Sequence, residues 1–144
     1  MNVFHITHAC ANGNAHAAQF LESVYAFFHA IDDKFDADTE CSDEGMASVT
    51  MNFILTIGGN PFYQHHRQGF EALIQSAISA WVDANRLEEE KKVEGKVLKS
   101  WYHELFWHTA QLTGGWSHRR AMSKRFREFK LEEYGTLRVT TSNT

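Results

Sequence analysis

The chain has 144 residues and a formal net charge of −4, the usual size of one domain. With 43% hydrophobic and 22% charged residues it is too apolar for a disordered protein. It contains no apolar run of the ~20 residues that a membrane-spanning helix needs, and it begins with no signal-peptide pattern. We therefore expect one cytoplasmic domain over residues 1–135, followed by a mobile polar tail at 136–144.

The distribution of charged residues and the positions of the cysteines limit the classes of function that the sequence can support. Residues 1–60 contain eight Asp or Glu and one Lys, whereas residues 61–144 contain 13 Lys or Arg and 10 Asp or Glu. This division could attract a cation to the acidic half and a phosphate to the basic half. Alternatively, the two halves attract each other, either within the fold or between the chains of a dimer. The negative total argues against a duplex nucleic-acid binder. Two distant cysteines, Cys10 and Cys41, indicate reduced thiols and no zinc framework.

Apolar spacing predicts an all-α fold, a single bundle of about five helices. The first covers 14–36, and its apolar side consists of Phe20, Val24, Phe27, Phe28, Ile31 and Phe35. The second, expected to be a buried helix, covers 44–57, although residues 46–57 alternate cleanly enough to fit a strand instead. Gly58-Gly59-Asn60-Pro61 predicts a stop and a new helix starting at Pro61. A fourth helix covers 93–112 and is ended by Gly114-Gly115, and a fifth runs from Ser117 to about Tyr134, ended by Gly135. The expected core face of the fourth helix consists of Val97, Leu98, Trp101, Leu105 and Leu112.

Acidic residues crowd the end of the first predicted helix, with four aspartates at positions 32–38. On an ideal helix some of them share a stripe with a glutamate and a histidine, which are ligands that suit Mg²⁺ or Mn²⁺. The alternative is a solvated face opposite the core. The candidate metal ligands are Glu22, His29, Asp32, Asp33 and Asp36.

The segment Asp32-Asp33-Lys34-Phe35-Asp36 also resembles the Asp-Asp-x-x-Asp element of helical isoprenoid synthases, which holds magnesium and a diphosphate. The chain is about half the length of such enzymes. We therefore take from the resemblance only that carboxylates on helices can hold metals that bind phosphoryl oxygens.

The fourth predicted helix offers a candidate acid and base. Glu104 and His108 lie one turn apart, so they could form a general acid/base pair or a hydrogen-bonded pair in the core. The helix that follows is basic, and Arg119, Arg120 and Lys124 could bind a phosphate. The alternative for these three is a solvated basic face.

Two aromatic residues, Phe106 and Trp107, are expected on the side of the fourth helix opposite its apolar stripe. Large aromatic side chains that an isolated monomer leaves exposed are typical of interfaces. The sequence thus predicts a homo-oligomer or a protein partner that covers them, with packing on two sides of the helix as the competing explanation.

Three segments together resemble small helical accessory proteins of tailed bacteriophages: residues 27–33, Phe-Phe-His-Ala-Ile-Asp-Asp; residues 60–63, Asn-Pro-Phe-Tyr; and residues 114–119, Gly-Gly-Trp-Ser-His-Arg. The resemblance implies a host-cell cytoplasm and an accessory role, without assigning roles to residues. We expect an interaction protein that binds a protein or a phosphate-bearing partner. The alternative is a Mg²⁺- or Mn²⁺-dependent hydrolase, or a binder, of a phosphorylated small molecule such as a nucleotide.

Overall fold

A computed structural model describes the backbone of residues 3–35, 42–90 and 93–142. Every regular element within these ranges is helical, which confirms the predicted all-α class and makes residues 46–57 part of a helix. The elements in chain order are α1 (Val3–Ala11), α2 (Ala15–Phe35), α3 (Asp43–Gly59), α4 (Pro61–His65), α5 (Arg67–Glu89), α6 (Glu94–Lys99), a 3₁₀ turn (Ser100–Tyr102) and α7 (His103–Ser142).

Short polar side chains start three of these helices, because each accepts a hydrogen bond from an otherwise unpaired backbone N–H of the first turn. Asn14 Oδ1 accepts from Ala17 N at 3.0 Å, and Ser42 Oγ accepts from Gly45 N at 3.0 Å. Asn60 Oδ1 accepts from Tyr63 N at 2.9 Å, with Pro61 in the first turn of α4. The predicted helix start at Pro61 is therefore confirmed.

The centre of the core is built around α2, which packs against α1, α3, α4 and α7. Phe20 is fully buried there, with its ring centroid 4.7 Å from Phe70 and 5.4 Å from Tyr63. Leu21 and Val24 fill the rest of this α2 face. The predicted apolar stripe of the first helix thus forms the core.

The number of helices exceeds the prediction for three local reasons. α1 forms where no helix was expected, and its buried residues Ile6 and Cys10 face the core. A turn at His66, with φ −113° and ψ 21°, separates α4 from α5. The 3₁₀ turn Ser100–Tyr102 separates α6 from α7.

This 3₁₀ turn explains why the predicted core face of residues 93–112 was largely wrong. A 3₁₀ turn advances about 120° per residue instead of about 100°, so the residues after it rotate relative to those before it. Val97 and Trp101 are exposed, the latter by 43%, and Leu112 lies at the surface. Leu105 is buried as predicted.

The helix α7 is broken at Gly115, where φ is 83° and ψ is −177°. This region of backbone space is accessible essentially to glycine alone, so the predicted interruption at Gly114-Gly115 is confirmed. The predicted stop at Gly135 is wrong, because α7 continues to Ser142. The mobility of residues 136–144 stays a prediction.

Candidate functional site

The acidic residues predicted as metal ligands are held in separate pairs. Glu22 lies on α2 with its Oε1 3.2 Å from His8 Nε2 of α1, and Asp33 Oδ2 lies 3.3 Å from His29 Nε2 one turn earlier. Asp32 Oδ1 lies 2.8 Å from Lys99 Nζ at the end of α6. The three carboxylates thus contact three different side chains: His8 of α1, His29 of α2 itself and Lys99 of α6.

Asp36, the fifth predicted ligand, lies outside the described residues. Within the described ranges, no group of three or more His, Cys, Asp or Glu side chains is arranged to hold a metal ion. A Mg²⁺ or Mn²⁺ site at this end of α2 therefore stays a prediction.

The acid/base pair and the basic segment meet, although the sequence placed them on different helices. Arg119 Nη2 lies 3.2 Å from Glu104 Oε2, and Arg119 Nη1 donates to Gln111 Oε1 at 3.2 Å. The break at Gly115 makes this possible by redirecting the chain between the two positions. Arg120 and Lys124 remain exposed to solvent on the same segment.

His108 lies at the edge of this group, against the start of α5. Its ring is perpendicular to that of Phe70 at 5.2 Å, and a Cβ atom at Gly69 would lie only 3.3 Å from its Nε2. Burial lowers the pKa of His108 below the ordinary imidazole value, and Arg119 and His66 lower it further against the opposing effect of Glu104. His108 is therefore held neutral more strongly than a free histidine.

An open polar cleft of about 460 Å³ is lined by the turn between α1 and α2, by Phe62 of α4 and by Leu112 and Thr113 of α7; Glu104, His108 and Arg119 do not line it. It includes His66, whose pKa is also lowered, first by burial and then by His65. Asn12 closes one side by donating from Nδ2 to the Thr113 carbonyl at 3.1 Å. The cleft could admit a small polar molecule beside His66.

The start of the basic segment is held in place by a contact with α1. His118, next to Arg119, has its Nε2 2.9 Å from the Ala9 carbonyl. This contact fixes the position from which Arg119 extends.

The predicted interface residues require a correction. Phe106 is only 1% exposed and belongs to the core, where it packs against Tyr102 and Phe126. Trp107 is half-buried and contacts His103 and Phe126. The rotation introduced by the 3₁₀ turn brings this side of α7 inward, so Phe106 is not available to a partner.

A cluster of exposed large apolar side chains lies instead on α3, which the sequence predicted to be a buried helix. Only Phe53 and Thr56 are buried on α3, whereas Met51, Ile54 and Leu55 are 61%, 61% and 66% exposed. An open groove of about 560 Å³ runs along this face, with Lys34 and Asp43 as an ion pair at one end. We call Ala47, Met51, Ile54, Leu55 and Gly58 the α3 apolar face.

The absence of charge marks this helix in the sequence but does not show which side of it stays open. Residues 45–59 contain no charged side chain, and a continuous apolar helix is usually buried on all sides. Among the described residues, α2 and α4 are the main elements that pack on α3. The side of α3 that carries Met51, Ile54 and Leu55 is left open.

Comparisons with known proteins identified no relative of this chain. None of the helices formed by the described residues is long and apolar enough to cross a membrane. A scan against protein-family models and searches of curated proteins and of solved structures found no match.

Proposed function

We propose that this chain is a helical interaction protein that acts by binding a protein partner through the α3 apolar face. The observation that carries the proposal is the exposure of Met51, Ile54 and Leu55, each above 60%, on one helix. Three large apolar side chains side by side, within a stretch of α3 that has no charged residue from 45 to 59, are costly to leave in water and are typical of binding surfaces.

The glycine at the end of this face supports the same function. A Cβ atom at Gly58 would meet nothing within 4 Å, and its backbone is not in the positive-φ region. A glycine inside a helix lowers stability by roughly 0.5–1 kcal/mol relative to alanine. Gly58-Gly59 ends α3, but among the described residues no contact requires the missing side chain of Gly58, whereas a partner backbone that approaches closely would.

The proposed role agrees with the resemblance to phage accessory proteins, so we extend the proposal to an accessory protein of a host-cell cytoplasm. The sequence suggested Phe106 and Trp107 as the binding surface, whereas this proposal assigns the binding surface to α3. The predicted metal ligands do not contribute to it, since Glu22, Asp32 and Asp33 are each paired elsewhere.

Site-specific photo-cross-linking in the native cell tests this function. A photoreactive amino acid at Ile54 should give a covalent adduct with a protein, which mass spectrometry identifies. The same probe at Gln75, an exposed residue of α5, is the control and should give no comparable adduct. If probes at Met51, Ile54 and Leu55 all fail to give an adduct above this control, the α3 apolar face is not a binding surface.

A second candidate function is binding or hydrolysis of a phosphorylated small molecule beside Arg119. The observation that favours it is the approach of Arg119 to Glu104, with His108 one turn from Glu104 and within electrostatic reach of His66, which lines the polar cleft. The guanidinium group of an arginine can donate two hydrogen bonds to one phosphate, and a neutral histidine can accept a proton.

Isothermal titration calorimetry with ATP, with and without Mg²⁺ or Mn²⁺, tests this alternative. Arg119→Gln should abolish the binding heat, whereas Arg120→Gln, which removes an exposed charge next to it, should leave it nearly unchanged. Equal losses in the two variants would mean that only the general positive charge of the segment attracts the nucleotide.

A further inference from the structure

We propose that the partner of the α3 apolar face is a second copy of this chain, packed so that the two α3 helices run antiparallel. In this arrangement Ala47 of one copy faces Gly58 of the other, and Met51 of one faces Ile54 of the other. The inference rests on the proposed function, because it names the occupant of the same surface.

The spacing of the exposed residues carries the argument. Ala47, Met51, Ile54 and Gly58 follow one another at steps of four, three and four residues. These are the steps of a coiled-coil seam, in which alternate positions repeat every seven residues. All four residues are exposed, so they point away from the chain's own core. We call Ala47, Met51, Ile54 and Gly58 the seam of the α3 apolar face.

The seam is also symmetrical about its own centre. Read from either end, its steps are the same, and the small residues lie at both ends while the large ones lie in the middle. An antiparallel pair therefore matches large with large and small with small in every layer. A two-fold interface requires this property, because the same patch must serve both partners.

The missing side chain at Gly58 agrees with the close approach of a second helix backbone. In the isolated chain the space beside Gly58 is empty, so the absence of a side chain serves no contact there. Facing the small Ala47, it would let the two helices pack closely at each end of the seam, as small residues do where helix backbones meet.

The distribution of charge determines where two copies of this chain can meet. The chain carries a net charge of −4, so two copies repel each other over most orientations. The α3 apolar face is free of charge from residue 45 to residue 59, and Lys34 and Asp43 at its rim pair with each other. Two copies therefore meet with less repulsion at this face than over the rest of the surface.

The size of the seam sets the expected strength. A helix of 17 residues is about 25 Å long. A contact along one face of one such helix involves fewer residues than the roughly 20–30 per partner of a standard interface. We therefore expect a dimer that dissociates on dilution, with a dissociation constant in the micromolar range or above.

Sedimentation velocity from about 10 µM to about 1 mM tests self-association. Gly58→Glu should raise the dissociation constant at least tenfold, because it buries a charge in the seam. Gly59→Glu is the matched control: it places the same charge one residue later, also in open space, but about 100° around the helix. It should change the dissociation constant less than threefold.

Disulfide cross-linking tests the direction of the pair. In a Cys41→Ser background, with Cys10 fully buried, Ala47→Cys and Gly58→Cys proteins are mixed and oxidised with copper–phenanthroline. An antiparallel pair cross-links the mixture but neither protein alone, because equivalent residues lie about 16 Å apart along the axis. Cross-linking of each protein with itself would overturn the antiparallel arrangement.

A wild-type chain that stays monomeric to about 1 mM overturns the inference. If photo-cross-linking at Ile54 then captures a different protein, the proposed function stands and only the second copy is excluded. If it captures nothing, both fail. A dimer that Gly58→Glu leaves intact places self-association on another surface and also overturns the inference.

Discussion

Arg119 reaches back across the break at Gly115 to Glu104, with 3.2 Å between Nη2 and Oε2. In an unbroken helix these residues, 15 positions apart, would be separated by about 22 Å along the axis. The contact therefore depends on the glycine-specific backbone of residue 115.

Gly115→Ala should lower the free energy of unfolding by roughly 1–3 kcal/mol, because alanine is strained in this region of backbone space. Urea denaturation measures the change. Gly58→Ala is the control at low protein concentration, because Gly58 is helical and open, and it should raise stability by about 0.4–1 kcal/mol. Equal effects of the two variants would mean that the break at Gly115 is not required.

Phe106→Ala should lower the free energy of unfolding by about 3–5 kcal/mol, since it empties space in the core. Val82→Ala, at an exposed position of α5, should stay within about 0.5 kcal/mol of wild type. Thermal unfolding followed by circular dichroism compares them. A well-tolerated Phe106→Ala would restore the view that this ring lies at an interface.

Acidification should destabilise the protein through His66 and His108. Their pKa values are lowered in the folded chain, chiefly by burial, so the unfolded chain binds protons more readily. Stability is then fully present above the ordinary imidazole pKa of about 6.5 and falls as the pH drops through it towards the lowered folded values. The melting temperature should therefore decrease between about pH 7.5 and about pH 5.5.

The double variant His66→Gln/His108→Gln provides the control for this pH dependence. It should melt at a temperature that changes less over the same interval, because two of the groups that take up protons on unfolding are gone. An unchanged dependence would assign the effect to other groups.

Cys10 should resist modification as long as the chain is folded. It is fully buried, and burial raises the pKa of its thiol to about 12, so little thiolate is available to react. In a Cys41→Ser background, a chromogenic disulfide reagent should label Cys10 in denaturant but not in buffer at about pH 8. Rapid labelling in buffer would show that α1 detaches readily from the core.

Local signals in the sequence were sufficient for much of the fold. Asn60 and Pro61 predicted a helix start because capping chemistry acts within one turn, and the apolar spacing of Phe20 and Val24 predicted the buried side of α2. The rotation after Ser100 could not be predicted, because a 3₁₀ turn leaves no periodic signature of its own. One such turn was enough to exchange the positions of Trp101 and Phe106 relative to the core.

The candidate site was predicted only in part for a related reason. Glu104, His108 and Arg119 were recognised individually by their chemistry, but their approach depends on the break at Gly115 and on packing between distant segments. The opening on α3 was missed because burial depends on how many other elements cover a helix, and a run such as Met51 to Leu55 carries no information about its neighbours.

Asn60, buried between α3 and α4, has a consequence for how α3 binds. Its Nδ2 donates to the His16 carbonyl at 2.8 Å and to Gln19 Oε1 at 3.3 Å, while its backbone N–H closes the last turn of α3. One side chain thus holds the end of α3 against α2. Because the helix is oriented before any encounter, association loses little conformational entropy, and even the short α3 apolar face can use most of its buried area for affinity.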